Sequence, residues 1–135
     1  MAEIQYTIKL PPVTKKNSQQ ILFNKSTGRP FIMPSANYKK YEREAVWYLK
    51  PRLRNPIDYA VNVKCLFYMP NRRKTDLNNL LEAATDLLVH AGILADDNYS
   101  IVVSHDGSRC YVDRNNPRTE ITISRIEDPA TESQM

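Results

Sequence analysis

Residues 77–91 read LNNLLEAATDLLVHA and carry the most regular hydrophobic pattern in this sequence. Apolar side chains recur there at intervals of three or four residues, at Leu77, Leu80, Leu81, Ala84, Leu87, Leu88 and Ala91. Because an α-helix turns once in about 3.6 residues, these side chains share one face, and the pattern predicts an amphipathic helix. Gly92 comes next and suits the C-terminal cap, where a left-handed backbone conformation is common.

Segments on both sides of this helix alternate apolar with polar residues, which is typical of strands with one buried face. Four such strands are predicted, over residues 3–10, 61–69, 99–104 and 119–125. Residues 21–33 hold two short apolar pieces around a turn at Gly28 and predict a hairpin. A second helix is predicted from Ser35, as its N-cap, to Lys50, because Pro51 ends it.

The order of these elements predicts an α+β fold, in which a small mixed or antiparallel sheet packs against two main helices. A chain of 135 residues suits a single domain, which we place at residues 1–126. Residues 127–135 are polar and predict a flexible C-terminal tail.

Composition excludes several classes of protein. With 41% hydrophobic and 25% charged residues, the chain has the composition of a globular protein and not of a disordered one. No apolar run is long enough for a membrane-spanning helix, and the first residues lack the pattern of a secretion signal. Cys65 and Cys110 have no CxxC neighbour that would suggest a zinc site. We therefore expect a cytoplasmic, reduced protein with no membrane partner, in which Cys65 is a core residue.

Charge is divided unevenly along the chain. Residues 1–54 carry a formal charge of +8 and residues 55–135 one of −4. A basic half joined to an acidic half is typical of a polyanion-binding protein that also holds carboxylates for a cation. A basic helix with one solvated face explains the same charges, and charge alone leaves both interpretations open.

Three consecutive cations, Arg72, Arg73 and Lys74, stand just before Asp76 at the predicted start of the long helix. Helix capping explains Thr75 or Asp76, because an oxygen at that position accepts from free backbone N–H groups. Capping does not explain adjacent cations that repel one another, whereas binding of a phosphate backbone does.

Acidic residues lie on the polar face of the same helix and just beyond its end. Glu82 and Asp86 are neighbours of like charge on that face, and Asp96 and Asp97 follow the helix. A solvated face and a solvated turn account for them. A divalent metal also makes such clustering favourable, because hard cations take several oxygen ligands. Together with the adjacent cations, these acids suggest metal-assisted hydrolysis of a phosphodiester bond.

The central part of the sequence resembles the RusA family of Holliday-junction resolvases. The resemblance spans residues 3–126, and its motifs are MPNRRKTDLNNL at 69–80, AATDLL at 83–88 and AGILADD at 91–97, with LPP at 10–12 and RTEITI at 118–123. It implies a RusA-like α+β subunit, a homodimer and an endonuclease that depends on Mg²⁺, with Mn²⁺ as a substitute and no small-molecule cofactor. The implied partner is branched DNA, a four-way junction cut by paired nicks in recombination or repair, often in a prophage.

The resemblance also implies the catalytic and metal-binding residues. The acidic positions of the family fall on Asp76, on position 78 and on Asp97. Position 78 is Asn78, whose amide oxygen can ligate Mg²⁺ without adding negative charge. Glu82 stands where the best-known members have a functionally important lysine, and along the helix it is near enough to supply the missing carboxylate. We therefore expect Asp76, Glu82 and Asp97 to hold the metal, with Asn78 as a secondary ligand.

The predicted DNA contacts are Arg72, Arg73 and Lys74 beside this site, and Lys15, Lys16 and Asn17 in the loop after the first strand. Asp86 and Asp96 are reserve candidates for the metal. Two alternatives stay open. One is a protein of the same fold that binds junctions without cutting them, which Asn78 and the missing lysine favour, and the other is a less selective nuclease.

Overall fold

The computed structural model describes residues 3–15, 19–34 and 36–127 of the chain. In chain order its elements are β1 (Ile4–Ile8), β2 (Gln19–Phe23), β3 (Pro30–Pro34), α1 (Ala36–Ala45), β4 (Val61–Met69), α2 (Leu77–His90), β5 (Val102–Ser104), β6 (Arg109–Val112) and β7 (Arg118–Arg125). A 3₁₀ turn, Val46–Tyr48, follows α1 directly. The predicted α+β fold is confirmed, with one strand more than the sequence predicted.

The main sheet is mixed, and β4 is its central strand. β4 pairs along almost its whole length with β7 in antiparallel register, and β7 pairs in turn with β1. Two short parallel strands share the other edge of β4, β5 at its start and β6 at its end. The β2–β3 hairpin forms a separate antiparallel sheet, and Gly28 has a positive φ of 70° in its turn, as the prediction required.

One face of the sheet and the leucine face of α2 form the hydrophobic core. On β4 the alternate residues from Val61 to Phe67 are buried, and Cys65 among them is fully buried, as predicted. The buried residues of α2 are Leu80, Leu81, Ala83, Ala84, Thr85, Leu87 and Leu88. Leu77 lies 37% exposed, so the buried stripe begins one turn later than the sequence predicted.

The first helix is shorter than predicted. Leu49 leaves the helical conformation, with φ −116° and ψ 71°, and Pro51 disfavours helix in the residue before it. Tyr48, just beyond α1, is consequently 37% exposed, whereas Tyr38 and Tyr41 of α1 are buried.

The region predicted as a strand over residues 99–104 is a turn in its first half and a strand in its second half. The carbonyl of Asn98 accepts hydrogen bonds from the N–H groups of Ile101 and Val102, and only Val102–Ser104 remains as β5. The additional strand is β6, whose four residues are all exposed. Because it has no buried alternation, the sequence carries no periodic signal for it, and its pairing with β4 defines it.

Some predictions fall outside the described residues. These are the N-cap at Ser35, the DNA contacts Lys16 and Asn17, and the tail beyond residue 127. Among the helices that the structure describes, no helix is both long and apolar enough to cross a membrane.

Candidate nuclease site

A cationic loop joins the end of β4 to the start of α2. Met69, the last residue of β4 before this loop, is fastened to the chain segment after β6, because the N–H of Asp113 donates to the carbonyl of Met69 at 2.8 Å. The side chains of Arg72, Arg73 and Lys74 are exposed, and none of them forms an ion pair with a carboxylate in the described part of the chain. Their positive charge therefore remains available to a phosphate backbone, and their contact with DNA stays a prediction.

Asp76 stands at the N-terminus of α2 and is exposed. Its backbone is extended, with φ −71° and ψ 131°, and its carbonyl accepts the first helical hydrogen bond from Leu80 at 3.2 Å. Its carboxylate makes no capping hydrogen bond. The carboxylate of Asp76 is therefore not used for helix capping, the structural role that the sequence allowed for it. It remains able to bind a cation beside the cationic loop.

Asn78 and Glu82 follow Asp76 on the first turns of α2, and both are exposed. Their side chains add oxygen atoms, which are the ligands that Mg²⁺ prefers in proteins. Asp76, Asn78 and Glu82 thus carry the type of donor atom that a hard divalent cation takes, and their joint binding of one ion stays a prediction.

Asp97 lies elsewhere, in an acidic cavity of about 400 Å³ at the C-terminal half of α2. The cavity is lined by Lys15, Glu42, Asp86, Val89, His90, Asp96 and Asp97. The reserve residues Asp86 and Asp96 therefore lie near Asp97, as members of the same cavity.

The two adjacent aspartates of this cavity have different roles. Asp96 accepts a hydrogen bond from the N–H of Asp97 at 2.8 Å and another from the side chain of Asn98 at 3.0 Å. These bonds, that from the Asp97 backbone first, lower the pKa of Asp96. Asp96 is thus occupied in forming the turn, and a side-chain hydrogen bond with Asp97 also contributes to its lowered pKa. The role of Asp97 as the metal ligand of the pair stays a prediction.

Lys15 is the only cation that lines the acidic cavity among the described residues. Its ammonium lies 3.1 Å from the carboxylate of Asp86 and 5.7 Å from the centre of the Tyr38 ring. Part of the charge that the sequence assigned to DNA binding is therefore used within the protein. A contact between Lys15 and DNA stays a prediction.

The predicted metal ligands are distributed over two places. α2 has 14 residues and is about 21 Å long at 1.5 Å per residue, with Asp76 before its first turn and Asp97 beside its C-terminal half. The part of the chain that the structure describes holds no group of three His, Cys, Asp or Glu residues placed to bind a metal. The expected convergence of Asp76, Glu82 and Asp97 on one ion is thus not seen within a single chain, and their joint role stays a prediction.

The sequence analysis missed the residues of β6 that border the cationic loop. Cys110, Tyr111 and Val112 line a cavity of about 520 Å³ together with Arg72 and Arg73. No local pattern marks these residues, because the register between β4 and β6 alone brings them to the loop.

Two comparisons show which known proteins this chain is similar to. A family model described as Endodeoxyribonuclease RusA matches residues 9–124, a range that contains every candidate residue named above. A crossover junction endodeoxyribonuclease RusA from Aquifex aeolicus (strain VF5) is 31% identical over 99 residues, which cover 73% of this chain and 75% of that protein.

Proposed function

Since the chain belongs to the RusA family of endodeoxyribonucleases, we propose that it resolves four-way DNA junctions by hydrolysing one phosphodiester bond in each of two strands. The similar protein from Aquifex aeolicus bears the name of a crossover junction endodeoxyribonuclease, which supports this substrate. We place the activity in DNA recombination or repair in the cytoplasm, in a prophage or a chromosomal setting.

One observation carries the proposal. Three cations that form no ion pair with a described carboxylate, Arg72, Arg73 and Lys74, stand two residues or more before Asp76, whose carboxylate makes no capping bond. Basic side chains hold the DNA backbone and neutralise charge that develops on the phosphate, and a carboxylate beside them can hold a metal against that phosphate.

We propose that Mg²⁺ is bound by Asp76, Glu82 and Asp97, with Asn78 as a secondary ligand, and that Mn²⁺ can replace it. The chemistry supplied by the bound metal is activation of a water molecule and stabilisation of the phosphate. The carboxylates orient the metal, and Arg72, Arg73 and Lys74 orient the strand. Asn78 contributes a neutral oxygen, so one negative charge fewer is available at that position.

We further propose that the active form is a homodimer. A four-way junction has two-fold symmetry, and paired nicks need two active sites related by that symmetry. A second subunit also offers a physical solution to the separation of Asp76 and Asp97, because Asp97 of one subunit can face Asp76 of the other across the two-fold axis.

The decisive experiment measures cleavage of a synthetic four-way junction with and without Mg²⁺, beside linear duplex and flap substrates. We expect Asp76→Asn and Asp97→Asn each to abolish cleavage and to leave junction binding within about threefold, because they remove metal ligands and not cationic contacts. Asp58→Asn is the matched control, since Asp58 is exposed and lines none of the cavities described above. Full cleavage by either active-site variant would contradict the assignment of that residue.

The same assay tests Glu82. We expect Glu82→Gln to lower cleavage and to raise the Mg²⁺ concentration needed for half-maximal rate, because one carboxylate ligand is lost. Undiminished cleavage would remove Glu82 from the metal-binding set.

The neutral side chain of Asn78 favours one second candidate, a protein that binds junctions without cutting them. Binding of the junction with no nicking in Mg²⁺ or Mn²⁺ would establish that candidate. Equal cleavage of junction, duplex and flap would instead identify a less selective nuclease.

A further inference from the structure

Of the residues that line the cavity beside β6, only Arg72 and Arg73 have a role in the proposed hydrolysis. It lies between the cationic loop, the first turn of α2 and the edge strand β6, and its volume is about 520 Å³. Sites for small organic groups range from roughly 300 to 1,000 Å³. The cavity is lined by Met69, Asn71, Arg72, Arg73, Thr75, Leu80, Cys110, Tyr111 and Val112.

Its lining is divided between apolar and cationic groups. Met69, Leu80 and Val112 contribute apolar surface, whereas Arg72 and Arg73 are exposed and contribute positive charge. An apolar surface beside two guanidinium groups suits a ligand with a flat apolar part and a nearby anion.

The strand that forms one wall is held in place by its neighbour β4. β6 pairs with β4 in parallel register, Met69 lying opposite Val112. The ring of Tyr111 stacks on that of Tyr68, with ring centres 5.1 Å apart and planes 16° apart. The guanidinium of Arg118 lies 3.7 Å from the centre of the Tyr68 ring. The cavity therefore has a preformed wall that does not depend on a ligand for its order.

Resting on the proposed function, we propose that this cavity binds one unpaired base at the branch point of the junction, while Arg72 and Arg73 hold the phosphate of the same nucleotide. A paired base inside a duplex cannot reach such a cavity. At a branch point stacking is already interrupted, so moving a base out of the stack costs less free energy than it does within a continuous duplex. The ligand class is thus a single unstacked nucleotide, and the cavity recognises branching itself.

Cys110 provides a probe inside the cavity. It lines the cavity and its side chain is exposed, whereas Cys65 is fully buried in the core. Burial also raises the pKa of Cys65 to about 12, which keeps its thiol protonated and unreactive. The rate of alkylation of the native protein therefore reports on access to Cys110.

The test compares two junctions bound in the absence of divalent metal, one intact and one with abasic nucleotides at its four branch-point positions. A gel shift verifies that the protein is saturated with each junction before alkylation begins. We expect the intact junction to slow alkylation of Cys110 by tenfold or more and the abasic junction by less than twofold. Equal protection by the two junctions would overturn the proposal, because the DNA backbone would then be covering the thiol.

A pair of protein variants provides a second measurement. Val112→Trp fills the cavity, and Val103→Trp is its matched control, since Val103 lies on the edge strand β5 with 41% exposure against 40% for Val112. We expect the intact junction to bind Val112→Trp at least fivefold more weakly than it binds Val103→Trp, and the abasic junction to bind both alike. Equal affinities of the intact junction would contradict the proposal. If Val112→Trp fails to fold, the abasic comparison on the native protein still decides.

Failure of the proposed function has a different signature. In that case the gel shift shows no preference for a junction over linear duplex, and the inference is overturned with it. Junction binding and cleavage with equal protection by intact and abasic DNA would overturn the base-binding cavity alone.

Discussion

Basic side chains of the predicted DNA-binding set differ in what they contact. Arg73 is exposed on the loop, and its N–H donates to the side-chain oxygen of Asn71 at 2.9 Å, while its guanidinium pairs with no described carboxylate. Lys15 pairs with Asp86 in the acidic cavity. Arg73 and Lys15 carry the same formal charge, but Lys15 already pairs with a carboxylate of the protein. We therefore expect the two side chains to contribute differently to the affinity for DNA.

The salt dependence of junction binding should separate these two residues. Each phosphate contact adds about one unit to the slope of log affinity against log salt concentration. We expect Arg73→Gln to reduce that slope by about one and Lys15→Gln by less than half as much, because an ammonium already paired with Asp86 displaces few counterions from DNA. The measurement is a gel-shift or fluorescence titration at several salt concentrations. Equal changes in slope would show that Lys15 leaves Asp86 to contact DNA.

Stability in alkaline solution should depend on two buried acids of the core. Burial raises the pKa of Cys65 from 9.0 to about 12 and that of Tyr41 from 10.0 to about 12. Both groups are neutral in the folded protein where they would already ionise in the unfolded chain. Their contribution to the free energy of unfolding is therefore complete below about pH 9 and is lost as the pH rises towards 12.

Urea unfolding at intervals between pH 8 and pH 11 tests this dependence. We expect the free energy of unfolding of the native chain to fall above pH 9, and Cys65→Ala to make that fall shallower because the variant has no buried thiol to ionise. Cys110→Ala is the comparison, since Cys110 lies on the exposed strand β6. Burial raises the pKa of Cys110 as well, and we expect its removal to flatten the fall less than Cys65→Ala does. A Cys65→Ala profile as steep as that of the native chain would contradict the prediction.

At the scale of the element, α2 has two tasks. Its leucine face packs into the core, and its polar face and flanking residues carry the candidate ligands at one end and the acidic cavity at the other. Packing determines the position of the helix, and the position of the helix determines the distance between the two groups of ligands.

Truncation of the leucine face should show this division. Leu88 is fully buried and Leu77 is 37% exposed. We expect Leu88→Ala to lower the free energy of unfolding by about 2–5 kcal/mol, through lost burial and the cavity left behind. Leu77→Ala should cost less than about 1 kcal/mol, because this residue stays largely in contact with water. Urea denaturation of the two variants gives both values, and similar losses would contradict the observed burial.

For the whole molecule, the separation of Asp76 and Asp97 makes assembly the central question. If each metal site takes Asp76 from one subunit and Asp97 from the other, a heterodimer of the two single variants keeps one site intact and has one site that lacks both acids. If each site lies within one subunit, the same heterodimer has no intact site.

Mixing Asp76→Asn with Asp97→Asn after subunit exchange distinguishes these arrangements. We expect the mixture to nick the junction at about a quarter of the native rate, because about half of the dimers are mixed and each has one site of two. Paired cleavage should not return. Each variant alone is the inactive control, and an inactive mixture would place both acids of a site in the same subunit.

Much of this protein follows from local sequence. The spacing of leucines predicts α2, and the alternation on β4 predicts a central strand. Such patterns identify the face of each element that packs into the core, and they do so without knowledge of where the element lies in the fold. The cluster of cations before Asp76 is likewise visible, since its members are neighbours in the chain. The family resemblance supplies the roles that we propose for Asp76 and Asp97.

Other features of the fold and of the candidate site depend on contacts between elements that are distant in sequence. The edge strand β6 has no buried face and exists through its pairing with β4, which is distant in sequence. The ion pair of Lys15 with Asp86 and the separation of Asp76 from Asp97 likewise depend on how α2 lies against its neighbours. Periodicity records burial within one element, whereas contacts between elements arise when the folded chain brings distant residues together, and no single segment contains that information.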